Sequence, residues 1–483
     1  MGKALGIYLA GSIAAAGLIA MPALARDVTA APEGQFTVET VVQGLDHPWS
    51  IAFLPDGDML VTELTGQLRL IDGEGVVQEA IAGVPEVVFG GQGGLSDVVL
   101  HPDFAANKLV YLTYSAKRDQ GNTLVVGRGT FTGSELEGFE VIFEADAYRQ
   151  TLVHYGARMA FLPDGTFMLT SGDGFDYREQ AQNNTNHFGT LIRLNDDGSV
   201  PTDNPFVGNA DARDEIYSYG HRNAQAVVYD AGTGRIYSNE HGAQGGDEIN
   251  VIEPGANYGW PLATYGLDYT GAYVSPFKEY EGTKQPLTYW TPSIAPSAMA
   301  VVSGEAFADW EGDLLVTALA AGNVAAFADR NLRRVIIEDG ELAGEEAIRV
   351  VVPGAEEGET ARLRDVRMAP DGSIFILTDG EGGSVLRLVP KGGMPTDTAA
   401  ALEAAQSAVG DAARAVINAV DDGAHAAAKA AEDVIDANKD DVANAVNQAV
   451  EATAKAVKEG ADAVREAVAP AEAAPEDTAP AAQ

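Results

Sequence analysis

A Pro-Asp-Gly turn between two apolar runs recurs along the chain, and its spacing limits the folds open to the sequence. It stands at Pro55-Asp56-Gly57, at Pro163-Asp164-Gly165 and at Pro370-Asp371-Gly372, in steps of 108 and 207 residues. Each copy reads as an apolar strand, a tight turn and a second apolar strand ending in Thr62-Glu63, Thr170-Ser171 or Thr378-Asp379. The steps are about two and four periods of roughly 52 residues, a length that suits a four-stranded unit. Weaker copies fill the gaps at Val98 to Asp103, Ala226 to Asp230 and Glu305 to Asp309, which makes six units. Six strand-rich units of one period predict an all-β, six-bladed β-propeller over residues 36–390. A pair of β-sandwiches would not carry a single period across the whole body.

The ends do not share this pattern. Lys3 precedes an apolar run from Ala4 to about Ala20, and Ala23-Leu24-Ala25 has the small-x-small form of a signal-peptidase site. Residues 1–25 are therefore expected to be a cleavable signal peptide, with the mature chain periplasmic or secreted. The apolar run is too short for a membrane anchor, and no stable membrane insertion is expected. Beyond Lys391 the chain becomes Ala-rich and lacks aromatics. Val442, Val446, Val450, Val457, Val464 and Val468 recur at fours and sevens. An Ala-rich helical tail is expected over 396–469 and a disordered segment over 470–483.

Composition removes several classes of function. There is no cysteine, which excludes thiolate catalysis and Cys-ligated metals and leaves stability to the core. A net charge of −40 argues against nucleic acid and anionic membrane surfaces, and is compatible with hard cations held by oxygen ligands. The seven histidines show no HExxH or clustered spacing, so zinc is not expected.

The residues suited to chemistry lie at the edges of the repeats. His154 enters a strand pair, and Asp173 leaves it nineteen residues later. An antiparallel excursion can return the two to one face, where an imidazole can take a proton near neutral pH. Arg362 and Arg364 flank Leu363 and would share one side of a strand. Two planar guanidiniums there suit either carboxylate binding or an ion-pair ladder with nearby acids. Gly91-Gln92-Gly93-Gly94 is either a tight loop or one that presents Gln92 to a ligand. The richest segment runs from Ile216 to Trp260. It holds Arg222-Asn223, a Gly-rich turn at Gly242 to Gly246, the adjacent acids Asp247-Glu248, and Asn257-Tyr258-Gly259-Trp260.

Taken in order, these motifs resemble the soluble pyrroloquinoline quinone (PQQ) dependent glucose/sorbosone dehydrogenases, most closely their periplasmic aldose sugar dehydrogenase branch. The likeness covers about Val38 to Pro390. It rests on Gly90 to Leu95, His154 with Arg158, Gly172-Asp173-Gly174, Tyr219 to Asn223, Gly242 to Asn250, Asn257 to Trp260 and Arg362 to Asp365. The resemblance implies a PQQ- and Ca²⁺-dependent oxidoreductase that converts aldoses to lactones, with an electron acceptor that remains unspecified. In that pattern His154 is the general base, Asp173 orients it, and Arg222 stabilises charge on the quinone oxygen. Gln92, His154, Arg222, Asn223, Arg362 and Arg364 would contact the cofactor. The carbonyls of Gly242 and Ala243 would hold calcium, and Glu248 with the Tyr258 carbonyl a second ion. Ala243 replaces the usual proline, and Ala320 stands where relatives often carry a cofactor-contacting lysine.

Two readings from other classes compete. One is a non-enzymatic propeller that binds a carbohydrate or protein partner, with Ala320 marking a loss of cofactor function. The other, by analogy of fold alone, is a calcium-dependent lactonase.

Overall fold

The computed structural model describes residues 28–31, 34–320, 331–354 and 361–394. The expected leader, the Ala-rich tail and the Ala321 to Asn323 part of the loop after Ala318 lie outside them. The described residues form six antiparallel sheets of four strands, the fifth extended by a fifth strand. Each four-strand set is one blade, and the innermost strand of each touches that of the next all round the ring, the sixth meeting the first. The six-bladed propeller read from the repeats is the observed fold.

The innermost strands are Pro48–Phe53, Leu95–Leu100, Gly156–Phe161, Ala224–Asp230, Pro296–Val301 and Leu363–Met368. The three strong repeats are the inner strand pairs of blades one, three and six. The fifth landmark is corrected: Glu305–Trp310 is a 3₁₀ helix lying between the inner strand Pro296–Val301 and its partner Leu314–Ala318. Phe307 and Trp310 are buried there, so the helix carries the apolar signal of a strand pair without being one.

Two N-terminal segments join the far end of the ring. Thr29–Ala30 pairs in parallel with Glu341–Ile348 on blade five. Phe36–Asp46 pairs with Glu381–Pro390 and supplies the outer strand of blade six, from Phe36 opposite Pro390 to Asp46 opposite Glu381. The first long strand thus locks the last blade to the start of the body.

The inner strands run from one mouth of the ring to the other. Midway a compact charge cluster fills the axis. Asp97 accepts from Ser50 Oγ at 2.5 Å, Arg158 Nη1 at 3.1 Å and Arg367 Nη2 at 3.1 Å. Asp365 meets Arg158 at 3.2 Å and Arg367 at 3.0 Å. Arg158 also lies 4.1 Å over the Trp49 ring. Two acids and two arginines balance, which a buried cluster needs in order to remain ionised. At one mouth lie the Pro-Asp-Gly turns, around an open funnel lined by residues such as Phe53, Phe161, Asp230 and Gly372. At the other mouth the inner strands begin and the second strands end. All the predicted site residues sit there.

Candidate active site

The third blade brings its two candidates together by strand geometry. Gly156–Phe161 runs out and Phe167–Ser171 runs back, Gly156 opposite Ser171, so the residues just beyond each end meet. His154 Nδ1 lies 2.6 Å from Asp173 Oδ1. A carboxylate only accepts, so the shared proton sits on Nδ1, and Nε2 carries the free lone pair in the neutral ring. His154 adopts φ 57°, a left-handed conformation uncommon outside glycine. Two bonds pin it: its N–H donates to Gln92 Oε1 at 2.7 Å, and its carbonyl accepts from Arg149 Nη1. Arg149 is fully buried between the Tyr155 and Phe188 rings, and burial pulls its pKa down to about 10. Gly172 is required, because a Cβ there would stand 2.2 Å from the His154 carbonyl oxygen.

Electrostatics give the couple a fixed polarity. Burial holds the His154 imidazole below 6.5, outweighing the opposite pull of Asp173. Burial works against ionising Asp173, yet the hydrogen bond and charge of His154, with Arg222, hold its carboxyl below the ordinary range. At neutral pH the pair is a neutral base beside a carboxylate. Asp173 is further fixed by Phe175 N–H at 2.8 Å on Oδ1 and by the Trp260 indole at 2.8 Å on Oδ2.

Blade four adds the cation and the amide. The Asp173 N–H donates to the Arg222 carbonyl at 2.8 Å, linking the third and fourth blades. The Arg222 N–H donates to Glu240 Oε2 at 2.6 Å, and its guanidinium bonds the His241 carbonyl at 3.2 Å and the Gly242 carbonyl. Asn223 Oδ1 accepts from Gly156 N at 3.3 Å, while its Nδ2 reaches Gln92 Oε1 at 3.5 Å. Gln92, His154, Asp173, Arg222 and Asn223 therefore form one connected group.

Arg362 and Arg364 do share a side. Both grip Asp379, Arg362 Nε at 2.7 Å and Arg364 Nη2 at 2.6 Å. Burial pushes the Asp379 carboxyl up, but Arg364 and Arg362 outweigh it and hold it low. Arg364 also bonds Ser297 Oγ at 3.1 Å, and Arg362 the Leu319 carbonyl at 3.0 Å, next to Ala320. The ion-pair reading of these arginines is thus realised, with one acid serving both.

The Gly-rich turn is held from below by Asp247. Its Oδ1 accepts from Gly242 N at 2.8 Å and its Oδ2 from Ser293 Oγ, Ile294 N and Ala295 N. Ala243 lines a cavity of about 320 Å³ together with Asp173, Arg222, Trp260 and Tyr269. Glu248 lies outside this wall, beside Glu240. Burial and the Glu240 charge push its carboxyl well up, and Asn250 Nδ2 reaches both acids, at 3.0 Å to Glu240 and 3.4 Å to Glu248. The Tyr258 ring stacks on His221, 4.6 Å between centroids, and its hydroxyl donates to the Val251 carbonyl.

These residues fit the groups the resemblance implies. The arginines and amides match a polycarboxylate with carbonyl oxygens. Nε2 of His241 is a buried atom without a partner at the same mouth. Among the described residues no three His, Asp or Glu side chains converge as a metal-ligand set. A calcium beside Gly242 and Ala243 would therefore depend on carbonyls and cofactor oxygens, as the resemblance implies. His241, whose imidazole is driven to about 3 by burial and by Arg222, His154 and Arg364, had no role in the sequence reading. Nor did Arg149, Phe175 and Tyr269.

A propeller with a histidine–aspartate couple under a cationic, amide-lined mouth has the makings of a sugar-oxidising quinoprotein site. The glucose/sorbosone dehydrogenase family model matches residues 45–387. The aldose sugar dehydrogenase YliI of Escherichia coli is 37% identical over 380 residues, covering 77% of this chain and 98% of that protein. The apo-form crystal structure of the soluble aldose sugar dehydrogenase from E. coli superposes with a TM-score of 0.67 at 36% identity, over 74% of this chain and 99% of that one. The PQQ-bound aldose sugar dehydrogenase of Streptomyces coelicolor does so with a TM-score of 0.58 at 28% identity, over 74% and 99%. The chain belongs to the glucose/sorbosone dehydrogenase family.

Proposed function

We propose that the chain is a PQQ- and Ca²⁺-dependent dehydrogenase that oxidises aldoses at C1 to lactones. The observation that carries this reading is the 2.6 Å His154–Asp173 contact, whose Asp173 lines the same cavity as Arg222. Bound PQQ would supply the two-electron acceptor for the hydride leaving C1, with calcium polarising the oxygens it touches. His154 Nε2 takes the proton of the anomeric hydroxyl as C1 becomes a carbonyl carbon. Asp173 fixes the ring and stabilises the imidazolium that results. Arg222 supplies fixed positive charge in a site screened from water, where such charge counts most. Gln92, Asn223 and Arg222 would hold the cofactor from blades two and four, and Arg362 and Arg364 from blade six. Gly242 and Ala243 would offer carbonyls to one calcium, and Glu248 with the Tyr258 carbonyl would support a second. The Glu240–Glu248 pair, with no lysine or arginine bonded to Glu248 among the described residues, supports that second assignment.

The leader pattern supports export to the periplasm or beyond. No helix among the described residues is long and apolar enough to cross a membrane. The test is reconstitution of the mature chain with PQQ and Ca²⁺, followed by dye reduction with glucose and other aldoses. Dye reduction that a calcium chelator abolishes is expected. No reduction together with no PQQ binding at micromolar cofactor would overturn the reading.

A further inference from the structure

Two aromatic rings stand in the cavity wall without a part in proton or hydride transfer. Phe175 adopts φ 68°, a conformation that a residue with a Cβ rarely takes. Its N–H serves Asp173, a duty glycine would perform with less strain. Yet a phenyl ring occupies the position and is 43% exposed, so core packing does not explain it. Tyr269 lies beside it, 61% exposed, the rings 6.2 Å apart and inclined by 29°. Tyr269 sits at the tip of a short hairpin in which Leu267 pairs with Tyr273, and Leu267 is bonded in both directions to Gln244 of the Gly-rich turn. The hairpin is thus anchored to the site itself. Inward, Phe175 meets the His154 ring edge-on at 5.2 Å, and Tyr269 lies 5.9 Å from the Arg222 guanidinium. The two rings form a ledge leading from the proposed base toward solvent.

Besides Trp260, Ala243 and Val274, the rest of the wall is charged. Arg178 bridges Glu179 at 3.0 Å and Asp268 at 3.4 Å, and Asp176 lies beside them. An aromatic face with charged hydrogen-bonding groups at its edge matches a pyranose ring, which has an apolar C–H face and a rim of hydroxyls. At the solvent side of these rings Asp176, Glu179 and Asp268 stand against Arg178, while Asp173 and Arg222 are buried deeper, so this outer edge carries net negative charge and disfavours an anionic second ring.

We propose that Phe175 and Tyr269 form a subsite for the second ring of a neutral, glycosidically linked aldose, whose reducing unit lies at His154. The proposal rests on the dehydrogenase reading and adds to it a preference for reducing disaccharides over sugars ending in a uronate.

The holoenzyme and its Tyr269→Ala and Tyr269→Phe variants are compared on a reducing disaccharide and on its reducing monosaccharide. Steady-state kinetics and calorimetric binding are both read. Tyr269→Ala is expected to lower kcat/KM for the disaccharide about tenfold more than for the monosaccharide, the equivalent of about 1.4 kcal/mol of stacking. The loss should fall mainly on KM, Tyr269→Phe should restore it, and the calorimetric Kd should move in parallel. A disaccharide carrying a uronate as its second ring should bind at least tenfold more weakly than the neutral one. Equal losses for both sugars, or no loss for either, would overturn the subsite. If the monosaccharide is oxidised and the disaccharide gains nothing in binding, only the subsite falls. If the wild-type protein neither binds nor oxidises any aldose, the dehydrogenase reading falls with it.

Discussion

Trp260 donates its indole N–H to Asp173 Oδ2 at 2.8 Å, while the other oxygen of that carboxylate holds His154. The His154–Asp173 couple is thus held by a residue from a different blade, and the same indole lies 5.3 Å from the Arg222 guanidinium. Trp260→Phe keeps the ring and removes the donor. The carboxylate, less stabilised as an anion, becomes the better partner for an imidazolium, so the His154 pKa rises. The expected result is a fall in kcat of about tenfold, the scale of one lost hydrogen bond to a charged group. The acid limb of the pH profile should move to higher pH, with KM little changed.

An imidazole can take a proton only when neutral, and burial holds the His154 pKa below 6.5. Activity should therefore be complete above that value and decline as the pH falls through the lowered pKa. Asp173→Asn removes the anion that favours the protonated ring. Its limb should shift still lower while kcat drops by about 10²- to 10⁴-fold through lost orientation and lost charge. His154→Ala should abolish turnover yet leave PQQ binding nearly intact, measured by titration of cofactor absorbance. Surviving turnover would remove His154 from the mechanism.

Ala320 follows Leu319, whose carbonyl accepts from Arg362, and its own N–H donates to the Ile294 carbonyl at 2.8 Å. Ala320→Lys would add an ammonium near the arginine pair without disturbing that backbone bond. PQQ should bind about tenfold more tightly through one charge-assisted contact. Equilibrium titration checks this, and an unchanged affinity would place the side chain elsewhere.

Asp97 is fully buried and accepts from Ser50, Met159, Arg158 and Arg367. Asp97→Ala leaves a buried guanidinium short of a partner. A loss of about 3–5 kcal/mol in unfolding free energy is expected by chemical denaturation.

What could be read beforehand follows the repeats. Pro55, Pro163 and Pro370 marked three blades because tight turns between apolar strands leave a local signature. Blade five carried no such turn, and the buried Phe307 and Trp310 of its 3₁₀ helix imitated one. His154 and Asp173 were legible as partners because they bracket one strand pair. Asp379 brackets Arg362 and Arg364 in the same way, across Leu363–Met368 and Ile374–Thr378, so the same reasoning would have found it. Tyr269 could not be found so. It lies in the long connection between Val251 and Thr288, outside the repeated strand pairs that mark the blades. The Gln244–Leu267 bonds and the Arg178–Asp268 ion pair bring that hairpin to the mouth.

The pairing of Phe36–Asp46 with Glu381–Pro390 has a consequence in time as well as in space. The outer strand of the last blade leaves the ribosome before the first blade, and its partners leave after the fifth. Until residue 390 has been made, the ring has an open seam with an unpaired strand edge on the incomplete sixth blade. Blades one to five can form as local hairpins, but closure joins segments more than three hundred positions apart, the kind of contact that slows folding most. The final step in assembling this protein is therefore the docking of its own beginning.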